Sequence, residues 1–365
     1  MKNSLRPIFS VILLVIVGFL LIVVFFIKSP IDSAAWTPSP APEWAGVLAP
    51  NSALLKADLL LPDQLHHPED STFDDKGRLY TGCEDGNIYR LTFDLNGNVT
   101  TLEIFAKVGG FPLGMHFDKN GNLIVAVKGV GLLSLDAVGN SSILANQVNG
   151  TPITYANDLD IASDGTIYFS DSSTKFTRGW PYDILEAKPY GRLLVYVPAT
   201  KETRILKDGM YFANGVVLSE DESFLLVGET SRYRIARYWL TGLKAGTWDY
   251  FVENLPILVD NIVRNQDGNY FIAGNRRVAF LDNLQSNSFL KNQVAKIPYN
   301  DLVAFPALKR NRYGVILVLD RNGHIVESLQ DPTGRVYSTS SAHPYGGHLY
   351  IGSLYGDGIA RYPLK

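Results

Sequence analysis

A turn motif recurs along this chain at a nearly constant spacing, and the repeat limits the folds available to it. The motif ends at residues 77, 121, 165, 222 and 268, so successive copies are 44, 44, 57 and 46 residues apart. Each copy is followed by a short run of β-branched, aromatic and aliphatic residues, such as residues 79–81 and 167–169, and a sixth copy begins at Gly347. Short apolar runs bounded by Asp, Asn and Gly turns are typical of antiparallel hairpins.

A period near 45 residues accommodates about four short strands, which is the content of one propeller blade. Helical repeats of this length would need two amphipathic helices each, and the density of turn residues argues against them. The sequence therefore predicts an all-β, six-bladed propeller over residues 51–365 as one closed domain.

The N-terminal part differs in composition from the rest. Residues 7–27 form a run of 21 residues without a charged side chain. As a helix this run would be about 31 Å long, roughly the hydrocarbon thickness of a bilayer. Lys2 and Arg6 precede it, so the positive-inside rule predicts a cytoplasmic N-terminus and a propeller on the periplasmic or other extracytoplasmic side.

We therefore expect residues 1–28 to form a cytoplasmic N-terminus and a single-pass signal anchor. A cleaved signal peptide is the alternative, because small residues occupy positions 33–35. Residues 29–50 are rich in proline and alanine, which predicts a stiff linker or a strap that runs into the domain.

Composition excludes some classes of function. The formal net charge is −3, so nothing suggests a nucleic-acid partner. The only cysteine, Cys83, rules out an intrachain disulfide and is predicted to be a small packed residue.

Oxygen-bearing side chains recur eight residues before the end of the turn motifs. The positions are Glu69, Leu113, Asn157, Asn214 and Asp260, and four of these five, all except Leu113, have a side chain that ends in oxygen. In a propeller, equivalent residues at the start of each innermost strand converge at the mouth of the central channel. Carboxylate and amide oxygens suit Ca²⁺, whereas Zn²⁺ would require His or Cys ligands. The frame thus predicts a calcium site, and the alternative is that these residues only cap turns.

The next position in the same frame reads Asp70, Gly114, Asp158, Gly215 and Asn261. Asn261 adds an amide to the first ligand set. Asp70 and Asp158 predict a second, deeper cation that ties blades together, with two acids beside turns as the simpler alternative.

Several stretches of the sequence resemble the strictosidine synthase-like family, which has membrane-anchored animal members. They are residues 156–160, 169–176, 183–194, 212–216, 226–230 and 260–262. The wider superfamily includes paraoxonases, gluconolactonases and squid-type phosphotriesterase. The resemblance covers roughly residues 50–365 and implies a six-bladed propeller, often with an N-terminal signal anchor.

The resemblance also implies ligand sets. The catalytic calcium ligands of the family would match Glu69, Asn157, Asn214, Asp260 and Asn261. By likeness to paraoxonases, a buried structural calcium would match Asp70, Asp158 and the carbonyl of Met115.

Two departures from the family restrict the chemistry. Leu113 stands where paraoxonases have a histidine, which disfavours a histidine dyad. Residues 339–344 lack the glutamate that the condensing plant enzymes use near the last blade, which disfavours amine–aldehyde condensation.

A calcium ion at a dry channel mouth can bind a carbonyl oxygen and stabilise the oxyanion that forms when water attacks. Hydrolysis of an ester or lactone is the simplest reaction with that requirement. Asp260 is the first candidate for base or nucleophile, and His343 is the second. Residues 180–187, in the longest repeat, predict a short helix that either walls an apolar substrate pocket or packs on a blade rim. A non-catalytic propeller that binds a ligand or protein through this face remains the alternative.

Overall fold

The computed structural model describes residue 18 and residues 26–177, 179–304 and 312–364. Most of the predicted membrane anchor, residues 7–17 and 19–25, lies outside the described residues. Within the described part of the chain, no helix has both the length and the apolar character needed to cross a bilayer. The signal anchor therefore stays a prediction.

The described residues form six antiparallel four-stranded sheets, which confirms the predicted propeller. The first blade comprises β2 (Ser71–Phe73), β3 (Leu79–Gly82), β4 (Asn87–Phe93) and β5 (Val99–Lys107). The second comprises β6 (Phe111–Phe117), β7 (Leu123–Lys128), β8 (Gly131–Leu135) and β9 (Ser141–Ala145). The third comprises β12 (Ala156–Ile161), β13 (Ile167–Asp171), β14 (Gly191–Val197) and β15 (Glu202–Met210). A separate hairpin of β10 (Gln147–Val148) and β11 (Thr151–Pro152) joins the second and third blades.

The fourth blade comprises β16 (Ala213–Leu218), β17 (Phe224–Glu229), β18 (Arg234–Trp239) and β19 (Trp248–Val252). The fifth comprises β20 (Ile257–Arg264), β21 (Tyr270–Arg276), β22 (Gly314–Leu319) and β23 (Ile325–Asp331). The sixth comprises β24 (Thr339–Tyr345), β25 (His348–Ser353), β26 (Ile359–Pro363) and β1 (Asp58–Leu60). The first strands of successive blades contact one another around a closed ring.

The predicted hairpins lie where the turn motifs placed them. Asp74 and Asp118 each accept hydrogen bonds from two backbone N–H groups of their own turn, which satisfies donors that the hairpin leaves unpaired. Gly77 closes the first turn with φ of 72°, a conformation that favours glycine. The apolar runs after these turns form β3, β7, β13, β17 and β21, the second strand of five blades.

The ring closes through a strand from the N-terminal side of the propeller. β1 pairs with β26 in antiparallel register, with Asp58 opposite Arg361. The sixth blade therefore contains both ends of the domain.

Two glycines let the inner strands of neighbouring blades approach closely. A Cβ at Gly114 would lie 2.2 Å from Asp158 Oδ1, and a Cβ at Gly215 would lie 2.5 Å from the backbone nitrogen of Ile262. These glycines occupy the second frame position in the second and fourth blades. Any larger residue there would separate the strands that carry the candidate ligands.

A helical lid lies beside the channel mouth. It consists of α1 (Trp180–Glu186), α2 (Ala279–Gln285), α3 (Ser288–Val294) and α4 (Tyr299–Ala304). The predicted helix in the longest repeat is confirmed as α1. Leu185, Leu281, Leu284, Ala295 and Leu302 form the apolar core of this lid, and Ile31 from the N-terminal segment packs into the same core.

The segment predicted as a linker or strap is a strap. The backbone N–H of Ala34 donates to Glu186 O at 2.8 Å, and that of Trp36 donates to Gln285 O at 3.0 Å. Further along, Gln330 Nε2 donates to Leu48 O at 3.1 Å. The strap thus crosses the lid and continues onto the fifth blade.

A buried lysine fastens the strap to the lid. Lys291 is fully buried, and its ammonium donates to Ala34 O at 2.5 Å and to Gln285 Oε1 at 3.2 Å. Burial, with the nearby charge of Arg232, lowers the pKa of Lys291 to about 8. Between pH 8 and the ordinary pKa of lysine, the unfolded chain therefore binds more protons at this residue than the folded protein.

We expect this residue to make the protein more stable as pH rises. From pH 7 to 9.5, the free energy of unfolding of the wild type should increase by about 2 kcal/mol relative to that of Lys291→Met. Urea unfolding of both proteins at the two pH values measures this difference. Lys76→Met, at an exposed turn, is the control; an equal difference at both pH values for Lys291→Met would contradict the prediction.

Candidate metal centre at the channel mouth

Four of the predicted ligands line a single cavity at the channel mouth. They are Glu69, Asn157, Asn214 and Asp260, and all four are buried. Asn214 Nδ2 donates to Asp260 Oδ1 at 2.9 Å, and Asn261 Nδ2 donates to Glu69 Oε1 at 3.3 Å. The structure thus brings together, from four blades, the side chains that the sequence frame selected.

Four oxygens of this group accept no hydrogen bond from the described residues. Glu69 Oε2 and the Oδ1 atoms of Asn157, Asn214 and Asn261 are buried, and none of them accepts a hydrogen bond from any described residue. Leaving a buried acceptor unpaired costs about 1–3 kcal/mol, so native proteins rarely cluster such atoms without a ligand. The unpaired oxygens fit the donor set of a hard cation.

Two hydroxyl groups determine which way the amides point. Ser172 Oγ donates to Ala213 O at 2.6 Å, and Thr230 Oγ1 donates to Val259 O at 2.7 Å. A hydroxyl has one proton, so each of these oxygens can only accept from its other neighbour. That neighbour must present its nitrogen.

The amide nitrogens meet this requirement. Asn157 Nδ2 donates to Ser172 Oγ at 2.7 Å, and Asn214 Nδ2 donates to Thr230 Oγ1 at 3.1 Å. The amide oxygens are therefore directed away from these hydroxyls. The same arrangement of amide and hydroxyl occurs in the third and fourth blades. In both, the hydroxyl also donates to a backbone carbonyl of the next blade.

Electrostatics favour a cation at this position. The Glu69 carboxyl is buried and close to the charges of Asp260, Asp70 and Asp158, so its pKa is raised well above the usual range. A bound divalent cation would relieve this repulsion.

The donor types indicate which cation fits. Among the described residues, no three His, Cys, Asp or Glu side chains gather into a metal-binding group. Two carboxylates and three amides are the available ligands, so the carboxamide oxygens are needed to complete a coordination shell. Such all-oxygen sets suit Ca²⁺ and not Zn²⁺.

The predicted second cation site is more enclosed and already partly satisfied. Asp70 Oδ2 accepts from the N–H of Met115 at 3.1 Å, and Asp158 Oδ2 accepts from the N–H of Val216 at 2.8 Å. Met115 thus presents a donor to Asp70 there. Burial and the charge of Asp70 raise the pKa of Asp158 well above its usual range. The second calcium, with the Met115 carbonyl as ligand, stays a prediction.

His343 lies with this deeper group and not among the described residues that line the cavity. Its Nε2 is 3.1 Å from Asp70 Oδ1, and its ring packs at 5.5 Å from that of His116. Burial opposes ionisation of Asp70, but the charge and hydrogen bond of His343 outweigh it and lower the pKa of Asp70. This position separates His343 from the role of base at the mouth that the sequence suggested for it.

The cavity wall contains residues that the sequence analysis did not identify. Phe111, Tyr155 and Phe212 line the cavity and pack together with Leu113 above the polar floor. Each lies two positions before a frame residue, and alternate residues of a strand share one face. Extending the frame by one strand period would have found all three.

The rim joins the lid to the last blade. Trp180 Nε1 donates to the Tyr355 hydroxyl at 3.1 Å, and both side chains line the cavity together with Ile184 and Tyr299. On the other side of the rim, the Lys128 ammonium lies 4.6 Å from the centre of the Tyr155 ring. Helix α1 therefore walls the cavity, one of the two roles that the sequence allowed, and its other face packs into the lid core rather than on a blade rim.

Comparisons with known proteins agree with this architecture. A family model of strictosidine synthase matches residues 157–243, and a model of the N-terminal part of strictosidine synthase-like proteins matches residues 46–91. The adipocyte plasma membrane-associated protein of Rattus norvegicus is 35% identical over 363 residues, covering 93% of this chain and 94% of that protein. Strictosidine synthase-like protein 13 of Arabidopsis thaliana is 34% identical over 328 residues, covering 82% of this chain and 79% of that protein.

Solved structures share the fold at low identity. A gluconolactonase from Xanthomonas campestris superposes with a TM-score of 0.61 at 17% identity, covering 93% of this chain and 99% of that chain. Regucalcin from Agrobacterium tumefaciens, described as a calcium-binding protein, gives a TM-score of 0.56 at 13% identity, covering 84% and 93% of the two chains. At these identities the likeness establishes the propeller and not its chemistry.

The hydroxyl groups that orient the amides can be tested directly. Ser172→Ala removes the acceptor that holds Asn157 Nδ2, so the amide is free to turn its oxygen away from the cavity. We expect the affinity for Ca²⁺ to fall about tenfold, as is common when a residue that supports a metal ligand is removed. Calorimetric titration with Ca²⁺ measures the change, with Ser142→Ala on an exposed outer strand as the control. Unchanged affinity in Ser172→Ala would refute this role.

Proposed function

This chain belongs to the strictosidine synthase-like family of six-bladed propellers, and from that membership we propose that it is a membrane-anchored, calcium-dependent hydrolase of esters or lactones. The observation that carries the proposal is the set of buried oxygens without donors at the floor of an apolar cavity. A hydrolase of this type needs both parts, because the floor must hold a cation and the wall must exclude bulk water while admitting the attacking water molecule.

In this proposal, the cation is held by Glu69, Asn157, Asn214, Asp260 and Asn261, and the Asn261 amide also donates to Glu69 Oε1. When bound, Ca²⁺ would polarise the carbonyl oxygen of the substrate and stabilise the oxyanion formed during attack.

Asp260 has the position of a general base. It lines the cavity, and the Asn214 amide holds one of its oxygens. In the proposed reaction Asp260 takes a proton from the attacking water, whose oxygen forms the new bond to the carbonyl carbon. The bond to the alcohol oxygen then breaks, and the alkoxide takes that proton back from Asp260.

The wall suggests the class of substrate. Phe111, Leu113, Tyr155 and Phe212 present apolar surface directly above the polar floor, and Trp180 adds an aromatic edge. An ester or lactone with an apolar or aromatic part would place that part against the wall while its carbonyl reaches the floor. The gluconolactonase and calcium-binding descriptions of the structural neighbours are compatible with this chemistry.

Anchoring through residues 7–27 is proposed because this run is apolar and because the animal relatives are named as plasma membrane-associated proteins. The positive charges of Lys2 and Arg6 before this run support a cytoplasmic N-terminus and an extracytoplasmic propeller in the same proposal.

Calcium should stabilise the folded protein. Ca²⁺ at about 100 times its dissociation constant should add about 2.7 kcal/mol to the free energy of unfolding, because only the folded ring assembles the ligands. Thermal melting after treatment with EGTA, with and without added Ca²⁺, should show a rise in Tm. Glu69→Gln should lose most of this rise, and the absence of any rise in the wild type would argue against the metal centre.

Activity should depend on Asp260. A panel of aryl esters and lactones, assayed with and without chelator, should reveal calcium-dependent turnover in the wild type. Asp260→Asn should abolish that turnover while circular dichroism shows a retained fold, because the amide cannot accept the proton.

Asp249→Asn, on the outer strand β19, serves as the matched control for loss of a carboxylate. Full activity in Asp260→Asn would remove the metal-centred mechanism. A wild type that binds Ca²⁺ but hydrolyses no member of the panel would favour the non-catalytic binding propeller.

A further inference from the structure

We propose that the lid beside the channel mouth lies directly against the bilayer that holds residues 7–27, so that apolar substrates enter the cavity from the membrane. This inference rests on the proposed anchoring and adds an orientation to it. The partner is a phospholipid bilayer, and the contact surface is the outer side of α3 with the start of the strap.

The strap is fixed to the lid almost from its first residue. Ile31 is 5% exposed and packs in the lid core. The backbone N–H of Asp32 donates to Glu186 Oε2 at 3.2 Å, and that of Ser33 donates to Asn292 Oδ1 at 3.2 Å. The chain is therefore immobilised on α1 and α3 only four residues after the predicted span ends.

This short connection restricts how the propeller can sit. Four extended residues reach at most about 14 Å, since each spans no more than about 3.6 Å. A domain of this length is on the order of 50 Å across, from the scaling of the radius of gyration with chain length. The opposite face of the propeller is therefore out of reach, and the lid must lie close to the point where the chain leaves the bilayer.

The surface at this position has the character of a membrane contact. Phe289 and Leu290 on α3 are 57% and 45% exposed, and Ser33 Oγ donates to the carbonyl of the adjoining Ser288 at 3.0 Å. Phe26 is also exposed, and Lys28 follows it. Exposed apolar side chains beside a lysine match an interface between hydrocarbon and headgroups.

The same lid borders the cavity. Leu185 of α1 faces the lid core, whereas the adjoining Ile184 lines the cavity, as does Tyr299 of α4. An apolar ester that leaves the bilayer beside α3 would therefore reach the channel mouth along the lid, without crossing the water that surrounds the rest of the propeller.

Spin labels can test the orientation in the full chain. Phe289→Cys and Leu95→Cys are each labelled with a nitroxide after reconstitution into phospholipid nanodiscs. Leu95 is fully exposed in the β4–β5 turn. Since β2 starts at the mouth and successive strands alternate in direction, that turn lies at the far face. The native Cys83 is 1% exposed, and burial raises the pKa of its thiol, so it should not react with the label.

We expect the label at position 289 to collide more with lipid-soluble oxygen than with a water-soluble nickel chelate, and the label at position 95 to show the reverse. A label at position 289 as accessible to the nickel chelate as that at position 95 would overturn the orientation. Alkaline carbonate extraction tests the membrane anchoring separately from the orientation. Release of the chain from the membrane would overturn both the anchoring and the orientation. A retained chain whose position 289 is exposed to water would overturn the orientation alone.

A second measurement addresses substrate entry. The double variant Phe289→Asp and Leu290→Asp should lower turnover of a long-chain aryl ester dissolved in vesicles by roughly tenfold, because two apolar contacts with the bilayer are lost. Turnover of a short, water-soluble ester should stay within about twofold, because neither residue lines the cavity. Equal losses on both esters would contradict entry from the membrane, even where the orientation holds.

Discussion

The hydrogen bonds of two hydroxyl groups, each with a single proton to donate, determine the arrangement of the candidate centre. Ser172 and Thr230 each give their only proton to the backbone of the next blade, and each must then accept from the amide of its own blade. The contacts that hold neighbouring blades together are therefore the ones that turn carboxamide oxygens toward the cavity. The same two hydroxyl groups therefore take part both in the contact between blades and in the orientation of the ligands.

The sequence was sufficient to predict the ring and the floor of the site. Regular turns specified the blades, and a fixed offset from those turns identified Glu69, Asn157, Asn214 and Asp260, because equivalent positions in a closed ring converge. The wall residues Phe111, Tyr155 and Phe212 lie two positions before frame residues but carry no carboxylate or carboxamide, so a search for cation ligands passed over them. Of the lid, the sequence predicted only α1; the assembly of its four helices could not be foreseen, because they pack with residues far away in sequence, such as Ile31.

The sequence also did not show how deep in the channel each candidate residue lies. His343, the second candidate base, lies on β24 of the sixth blade, and its side chain contacts Asp70 and His116 below the mouth. Residues at the start of an inner strand and residues a few positions later face different levels of the channel. A one-dimensional pattern identifies which strand carries a residue more readily than it identifies the level at which that residue acts.

Closure of the ring by β1 and β26 has a consequence for biogenesis. The partner of β1 is synthesised 303 residues later, after the five intervening blades, as the pairing of Asp58 with Arg361 shows. Until β26 is made, β1 and the growing sheets keep unpaired edges that can associate with other chains. A nascent chain therefore exposes these edges until β26 has emerged, and removal of β26 would leave the ring open.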